Sequence, residues 1–124
     1  MLKKLYQHLF KQKKNINMKW KALNTIQDLE TALEASHNQP VALFKHSTRC
    51  SVSLMAKKSV ERFWDLDIDA YYLDLIAHRD VSNAIADQLN IQHQSPQMIL
   101  VKKGEAIYNA SHGAIDVDAM GELL

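Results

Sequence analysis

The stretch FKHSTRCSVS, residues 44–53, decides the fold, because a buried strand there runs through a polar turn to the chain's one cysteine. The apolar run VALFK, 41–45, is typical of a buried β-strand. A helix is predicted from about 51 to 65, directly after the cysteine. We therefore expect Cys50 at the junction between a buried strand and the N-terminus of a helix.

The segments on either side alternate between strand and helix patterns. Strands are typified by short apolar or alternating runs, and helices by apolar residues at helical spacing after a capping residue. The remaining predicted elements are a strand within 18–24, a helix from 26 to about 36 capped by Asn24 or Thr25, a strand at 70–75, a turn at 78–80, a helix at 81–89, strands at 97–102 and 105–110, and a helix starting near Asp116.

This order, βαβαβαββα, predicts a single α/β domain. Strands joined through helices require parallel pairing with right-handed crossovers, and the Lys103-Gly104 turn makes the last two strands an antiparallel hairpin. A central mixed sheet flanked by helices is the thioredoxin-like arrangement.

Composition limits the classes of function. The 124 residues suit one domain, and 47% hydrophobic residues are enough for a packed core. A single cysteine excludes an intramolecular disulfide and favours a cytoplasmic location. No apolar run reaches the roughly 18–20 residues of a membrane span. The net charge of +1 gives no reason to expect a nucleic-acid partner.

The first 17 residues are predicted to be a basic amphipathic extension of a domain that covers 18–124. Residues 1–22 hold seven lysines and no acid. On a helix, one face would be apolar: Leu2, Leu5, Tyr6, Leu9 and Phe10. A short helix packed on the domain is the first interpretation. A frayed tail is the second, and peripheral contact with anionic lipid or a partner is the third.

Cys50 is the candidate nucleophile. A thiolate attacks disulfides, and the partial positive charge and free N–H groups of a helix N-terminus stabilise it. Arg49 adds a neighbouring cation, and Thr48 lies in the same polar turn. The alternative is an inert buried cysteine, which the polar residues around Cys50 argue against.

Ser53 stands three residues after Cys50, where a dithiol motif has its second cysteine. A hydroxyl cannot form a disulfide, so an external thiol has to release any adduct on Cys50. Ser95-Pro96 precedes a strand. In a thioredoxin-like fold the proline at this position is cis and faces the active cysteine, and the backbone before it pairs with the substrate segment. We therefore expect a cis bond before Pro96.

The six histidines form no convincing metal site by spacing, so we expect none. His46 and His112 each follow a strand and are expected at the same rim as Cys50. Three other histidines, His8, His37 and His78, are expected to be exposed to solvent. His93 could lie either in solvent or at the rim near Cys50.

Three motifs together resemble the monothiol bacilliredoxin family over about residues 22–124. T-x-C-x-x-S matches at Thr48, Cys50 and Ser53. H-x-S-P-Q matches at residues 93–97, and A-S-H at 110–112. Two positions depart from the family: Ser51 replaces the usual proline after the cysteine, and Gly113 replaces the usual aromatic residue after A-S-H.

The resemblance implies a thiol-disulfide oxidoreductase that removes bacillithiol from cysteines of client proteins. Bacillithiol would be the external thiol co-substrate, and S-bacillithiolated proteins the partners. Its malate and glucosamine groups suit a donor-rich rim, for which Arg49, His46, Ser111 and His112 are the candidates.

Two other functions stay open at this point. A redox-inactive thioredoxin-fold interaction module would have an unreactive Cys50. A monothiol glutaredoxin-like protein would use glutathione or hold an iron–sulfur cluster, which would colour the purified protein.

Overall fold

A computed structural model describes residues 18–124, and the predicted N-terminal extension lies outside this range. These described residues form five strands: β1 (Trp20–Ala22), β2 (Val41–His46), β3 (Asp69–Asp74), β4 (Gln97–Lys102) and β5 (Glu105–Ser111). Its helices are α1 (Ile26–Ala35), α2 (Ser51–Phe63), α3 (Arg79–Leu89) and α4 (Val117–Gly121), and a 3₁₀ turn covers His112–Ala114.

The predicted element order is confirmed in the described residues. The capping residue of α1 is Thr25, whose side chain accepts the Asp28 N–H while the Asp28 carboxylate accepts the Thr25 N–H. This reciprocal capping box stabilises the first turn of the helix. α3 begins at Arg79, within the segment predicted to be a turn.

The sheet has the order β1-β3-β2-β4-β5 and is mixed, as predicted. β1, β3 and β2 are parallel, and β5 pairs antiparallel with β4. The expectation of parallel pairing across every strand–helix–strand unit is wrong for the last unit, because β4 runs antiparallel to β2. The loop 90–96 after α3 brings the chain back to the edge where β2 ends, and β4 starts there.

Apolar residues cover both faces of the sheet. One face packs against α1 and α3 through residues such as Leu29, Leu43 and Ile85. The other packs against α2 and α4 through residues such as Phe44 and Met120. Two faces covered by helices explain why β2 reads as an unbroken apolar run up to Phe44.

In residues 18–124, no helix is long and apolar enough to cross a membrane.

Candidate active site

Cys50 is the N-cap residue of α2 and is half-buried. Its backbone is extended, with φ −113° and ψ 121°, and its carbonyl accepts the Leu54 N–H at 3.0 Å, the first bond of the helix. The Cys50 N–H donates to the Ser47 carbonyl at 3.2 Å, which closes the turn between β2 and α2. The thiol therefore lies at the positive end of a 13-residue helix, as the sequence predicts.

The turn itself exposes the two residues before the cysteine. Thr48 and Arg49 are both exposed to solvent. An exposed guanidinium one residue from the thiol is free to meet an anionic group of an incoming ligand, which is consistent with the expected rim.

Ser53 is completely buried, and its hydroxyl is used inside the protein. Ser53 Oγ accepts the Ser47 N–H at 3.0 Å and lies 2.7 Å from His46 Nδ1. One lone pair of the hydroxyl takes the Ser47 N–H, and the hydroxyl also hydrogen-bonds Nδ1, as donor or as acceptor according to the imidazole tautomer. The hydroxyl at the resolving position thus fixes the turn that carries Cys50, a role that the sequence did not indicate.

His46 ends β2 at the same edge as Cys50, as expected, but only 3% of it is exposed, so it is not available there as a ligand contact. Its ring packs between Phe44 and Tyr72, with centroid distances of 6.1 and 5.5 Å. Burial, followed by the charge of Lys57, lowers the pKa of His46, although Ser53 and nearby carboxylates oppose the shift. A neutral, buried imidazole supports the turn from below and is not open to a ligand in this structure.

The Ser95-Pro96 bond is cis, which confirms the prediction for this proline. Pro96 is buried and directly precedes β4. Because Lys45 on β2 pairs with Gln97 on β4, the proline lies at the edge of the sheet where β2 ends and the Cys50 turn begins. The buried hydroxyl of Ser95 has no hydrogen-bond partner.

The A-S-H segment reaches the same edge from β5. Ser111 pairs with Gln97, and the His112 N–H donates to the Pro96 carbonyl at 3.2 Å. Ser111 is half-buried, whereas His112 is exposed with a left-handed φ of 53°. The structure thus brings Ser111 and His112 to the cis-proline, and the 3₁₀ turn that follows contacts α2.

Three further polar residues meet at this edge and were not among the predicted site residues. Lys45 and Gln97 are fully buried, and the Lys45 Nζ lies 3.1 Å from His93 Nδ1. The signal in the sequence was a lysine and a glutamine inside otherwise apolar strands. His93 lies at the surface with its Nδ1 hydrogen-bonded, so both of the settings considered for it apply in part.

Within residues 18–124, no three or more histidine, cysteine or acidic side chains cluster in a way that could hold a metal ion.

Comparison with protein families gives one match that covers most of the chain. The family described as monothiol bacilliredoxin BrxC matches residues 21–120.

Solved structures support the same fold. A protein described as an oxidoreductase candidate with a thioredoxin fold is 34% identical, with a TM-score of 0.73 over 82% of this chain and 89% of that one. A mutant thioredoxin from Halobacterium salinarum is 16% identical, with a TM-score of 0.63 over 89% and 91% of the two chains. The Malassezia sympodialis thioredoxin is 14% identical, with a TM-score of 0.62 over 90% and 94%. The two thioredoxins show the fold alone.

Proposed function

The chain belongs to the monothiol bacilliredoxin family, and on that premise we propose that it removes bacillithiol from mixed disulfides on client proteins in the cytoplasm. Membership of this family supports a thiol redox role in general, and removal of bacillithiol is the more specific proposal. The finer proposal is supported by two features together: Cys50 is half-buried at a helix N-terminus, and Ser53, at the position of a second cysteine, has its hydroxyl committed to the turn.

The reaction exchanges one disulfide for another. The Cys50 thiolate attacks the bacillithiol sulfur, a Cys50–bacillithiol disulfide forms, and the client–bacillithiol disulfide breaks. The client cysteine leaves as a thiolate and takes a proton from water. A second bacillithiol thiolate then attacks the adduct, which releases bacillithiol disulfide and restores Cys50. Each exchange conserves electrons, so the second thiol is the reductant of the cycle.

The surroundings of Cys50 suit this ligand. The malate group of bacillithiol carries carboxylates, and the exposed Arg49 and His112 are cationic or donor groups at the same edge. Ser111, which is half-buried at the same edge, adds a hydroxyl.

The test is a choice between two thiols on the same client peptide. One sample carries bacillithiol on the peptide cysteine and the other carries glutathione, and the rate of peptide release is measured for each. We expect release at least about tenfold faster with bacillithiol, since two or more charge-assisted contacts each contribute roughly 1 kcal/mol or more. Equal rates, or faster release with glutathione, would contradict the assignment of the thiol.

A further inference from the structure

Two buried polar side chains converge on the loop that leads to Pro96. Lys45 on β2 and Gln97 on β4 are partners in the antiparallel register, and neither has any exposed surface. They extend the row of Leu43 and Ile99, which belong to the core beneath α1 and α3. Burying an ammonium group and an amide in such a core is unfavourable unless every polar atom finds a partner.

Gln97 uses both ends of its amide. Its Oε1 accepts the Gln94 N–H at 3.2 Å. Its Nε2 donates to the Gln92 carbonyl at 3.0 Å and to Asn109 Oδ1 on β5 at 2.8 Å. One side chain therefore holds the loop at two backbone positions and ties it to the neighbouring strand.

Lys45 holds the same loop between those two positions. Its Nζ donates to the Ser82 carbonyl of α3 at 3.0 Å and lies 3.1 Å from His93 Nδ1. The Ser82 hydroxyl is 3.2 Å from the same nitrogen. Since an ammonium group has no acceptor, Nδ1 accepts and the imidazole proton is on Nε2. Burial lowers the pKa of Lys45 to about 8, so the group is mainly charged at neutral pH.

The loop is thus fixed at Gln92, His93 and Gln94, immediately before Ser95-Pro96. We propose that Lys45 and Gln97 are positioning residues, which hold the 92–96 backbone in place for pairing with the client segment. The proposal rests on the proposed exchange at Cys50, but it does not depend on which small thiol the client carries. Backbone pairing matters only for a substrate that has a peptide backbone.

The experiment therefore compares two disulfides that share the attacked sulfur. One is the disulfide of 2-mercaptoethanol, which has no peptide backbone, and the other is a client peptide carrying 2-mercaptoethanol on its cysteine. Transfer of 2-mercaptoethanol to Cys50 is followed in wild type and in the variants Lys45→Met and Gln97→Met, which keep an unbranched side chain of similar length and remove the hydrogen bonds. Lys102→Met, an exposed position at the end of β4, is the matched control.

We expect both variants to react with the peptide about tenfold more slowly than wild type, the loss that roughly 1.4 kcal/mol would give. Their rate with the 2-mercaptoethanol disulfide should stay within about twofold of wild type, and the control should match wild type in both reactions. A general structural defect would slow both reactions alike, and that result would overturn the proposal. Unchanged peptide rates in both variants would overturn it as well.

Gln97→Glu serves if Gln97→Met does not fold, since it keeps Oε1 and loses the two Nε2 donor bonds. The same series with bacillithiol in place of 2-mercaptoethanol separates the two proposals. Equal rates for the two thiols in wild type would contradict the proposed ligand, while the ratio of peptide to small-disulfide rates would still test the positioning pair.

Discussion

The Ser53 hydroxyl lies 2.7 Å from His46 Nδ1 and at the same time accepts the Ser47 N–H at 3.0 Å. In a dithiol protein the second cysteine would stand at position 53. Here the serine at that position holds the turn that carries Cys50. Loss of the resolving thiol and stabilisation of the nucleophile's turn are therefore properties of one side chain.

Ser53→Ala should lower the free energy of unfolding by about 1–3 kcal/mol, because it leaves the Ser47 N–H and His46 Nδ1 without their partner. His46→Phe keeps the packing between Phe44 and Tyr72 and removes Nδ1. Denaturant unfolding of the two single variants and the double variant should give a coupling energy of about 0.5 kcal/mol or more. Ser59→Ala, at an exposed position of α2, is the control and should change stability by less than about 0.5 kcal/mol. A Ser53→Ala cost equal to that of the control would mean that the hydrogen bonds do not hold the turn.

Ser51→Pro should stabilise the protein by about 0.4–1 kcal/mol, because proline restricts the unfolded chain and suits the first position of a helix. Cys50 already has the extended backbone that a residue before proline requires, with φ −113° and ψ 121°. Thermal unfolding provides the measurement. Destabilisation would show that the Ser51 N–H or its side chain has a function in the turn that the structure does not contain.

Gly113→Phe should fold normally, since a Cβ at Gly113 has no atom within 4 Å. We expect the free energy of unfolding to change by less than about 0.5 kcal/mol. Because the 3₁₀ turn follows the A-S-H segment at the cis-proline and contacts α2, whose N-cap is Cys50, the ring should add apolar contact to a bound thiol and tighten binding of bacillithiol disulfide about threefold. Binding is measured with Cys50→Ala as the background, so that no exchange occurs. Unchanged affinity would place the ligand away from this turn.

The buried Lys45 predicts a stability that rises with pH in alkaline solution. Its pKa is about 8 in the folded protein against 10.5 ordinarily, so between these values the unfolded state binds more protons than the folded state. The contribution to the free energy of unfolding then rises with pH, by at most about 1.4 kcal/mol per unit.

Lys45→Met should lack this rise, and the difference between variant and wild type is the quantity to measure by denaturant unfolding from about pH 7 to pH 10. The difference cancels the titration of Tyr72 and Tyr108, whose pKa values burial raises. A constant difference across this range would show that Lys45 titrates normally.

The strands could be predicted because the residue pattern that defines each strand lies within a few consecutive residues. The run at 97–102 is apolar and the Lys103-Gly104 turn is a strong break, and β4 occupies Gln97–Lys102 as predicted. The direction of β4 relative to β2 could not be read in this way, because the path of the loop 90–96 depends on contacts with α3 and β2.

The same distinction between local and long-range signals holds for the site residues. Cys50 was identifiable because it directly follows a buried strand, and Pro96 because the thioredoxin-like arrangement has a cis-proline opposite the cysteine. The partners of His46 and Lys45 were not, because side-chain direction at the end of a strand decides burial, and Lys45 meets His93 across 48 residues of sequence. The predicted boundary at residue 17 and the extension before it stay predictions.

The central claim is that Cys50 alone accepts the adduct, and intact-mass spectrometry tests it most directly. Wild-type protein is mixed with a bacillithiolated client in the absence of free thiol, and the masses of both proteins are followed. The account predicts that the client loses bacillithiol while this chain gains one adduct, which persists until bacillithiol is added, and that Cys50→Ala gains none. Loss of bacillithiol from the client with Cys50→Ala, or no adduct on wild type, would contradict the account.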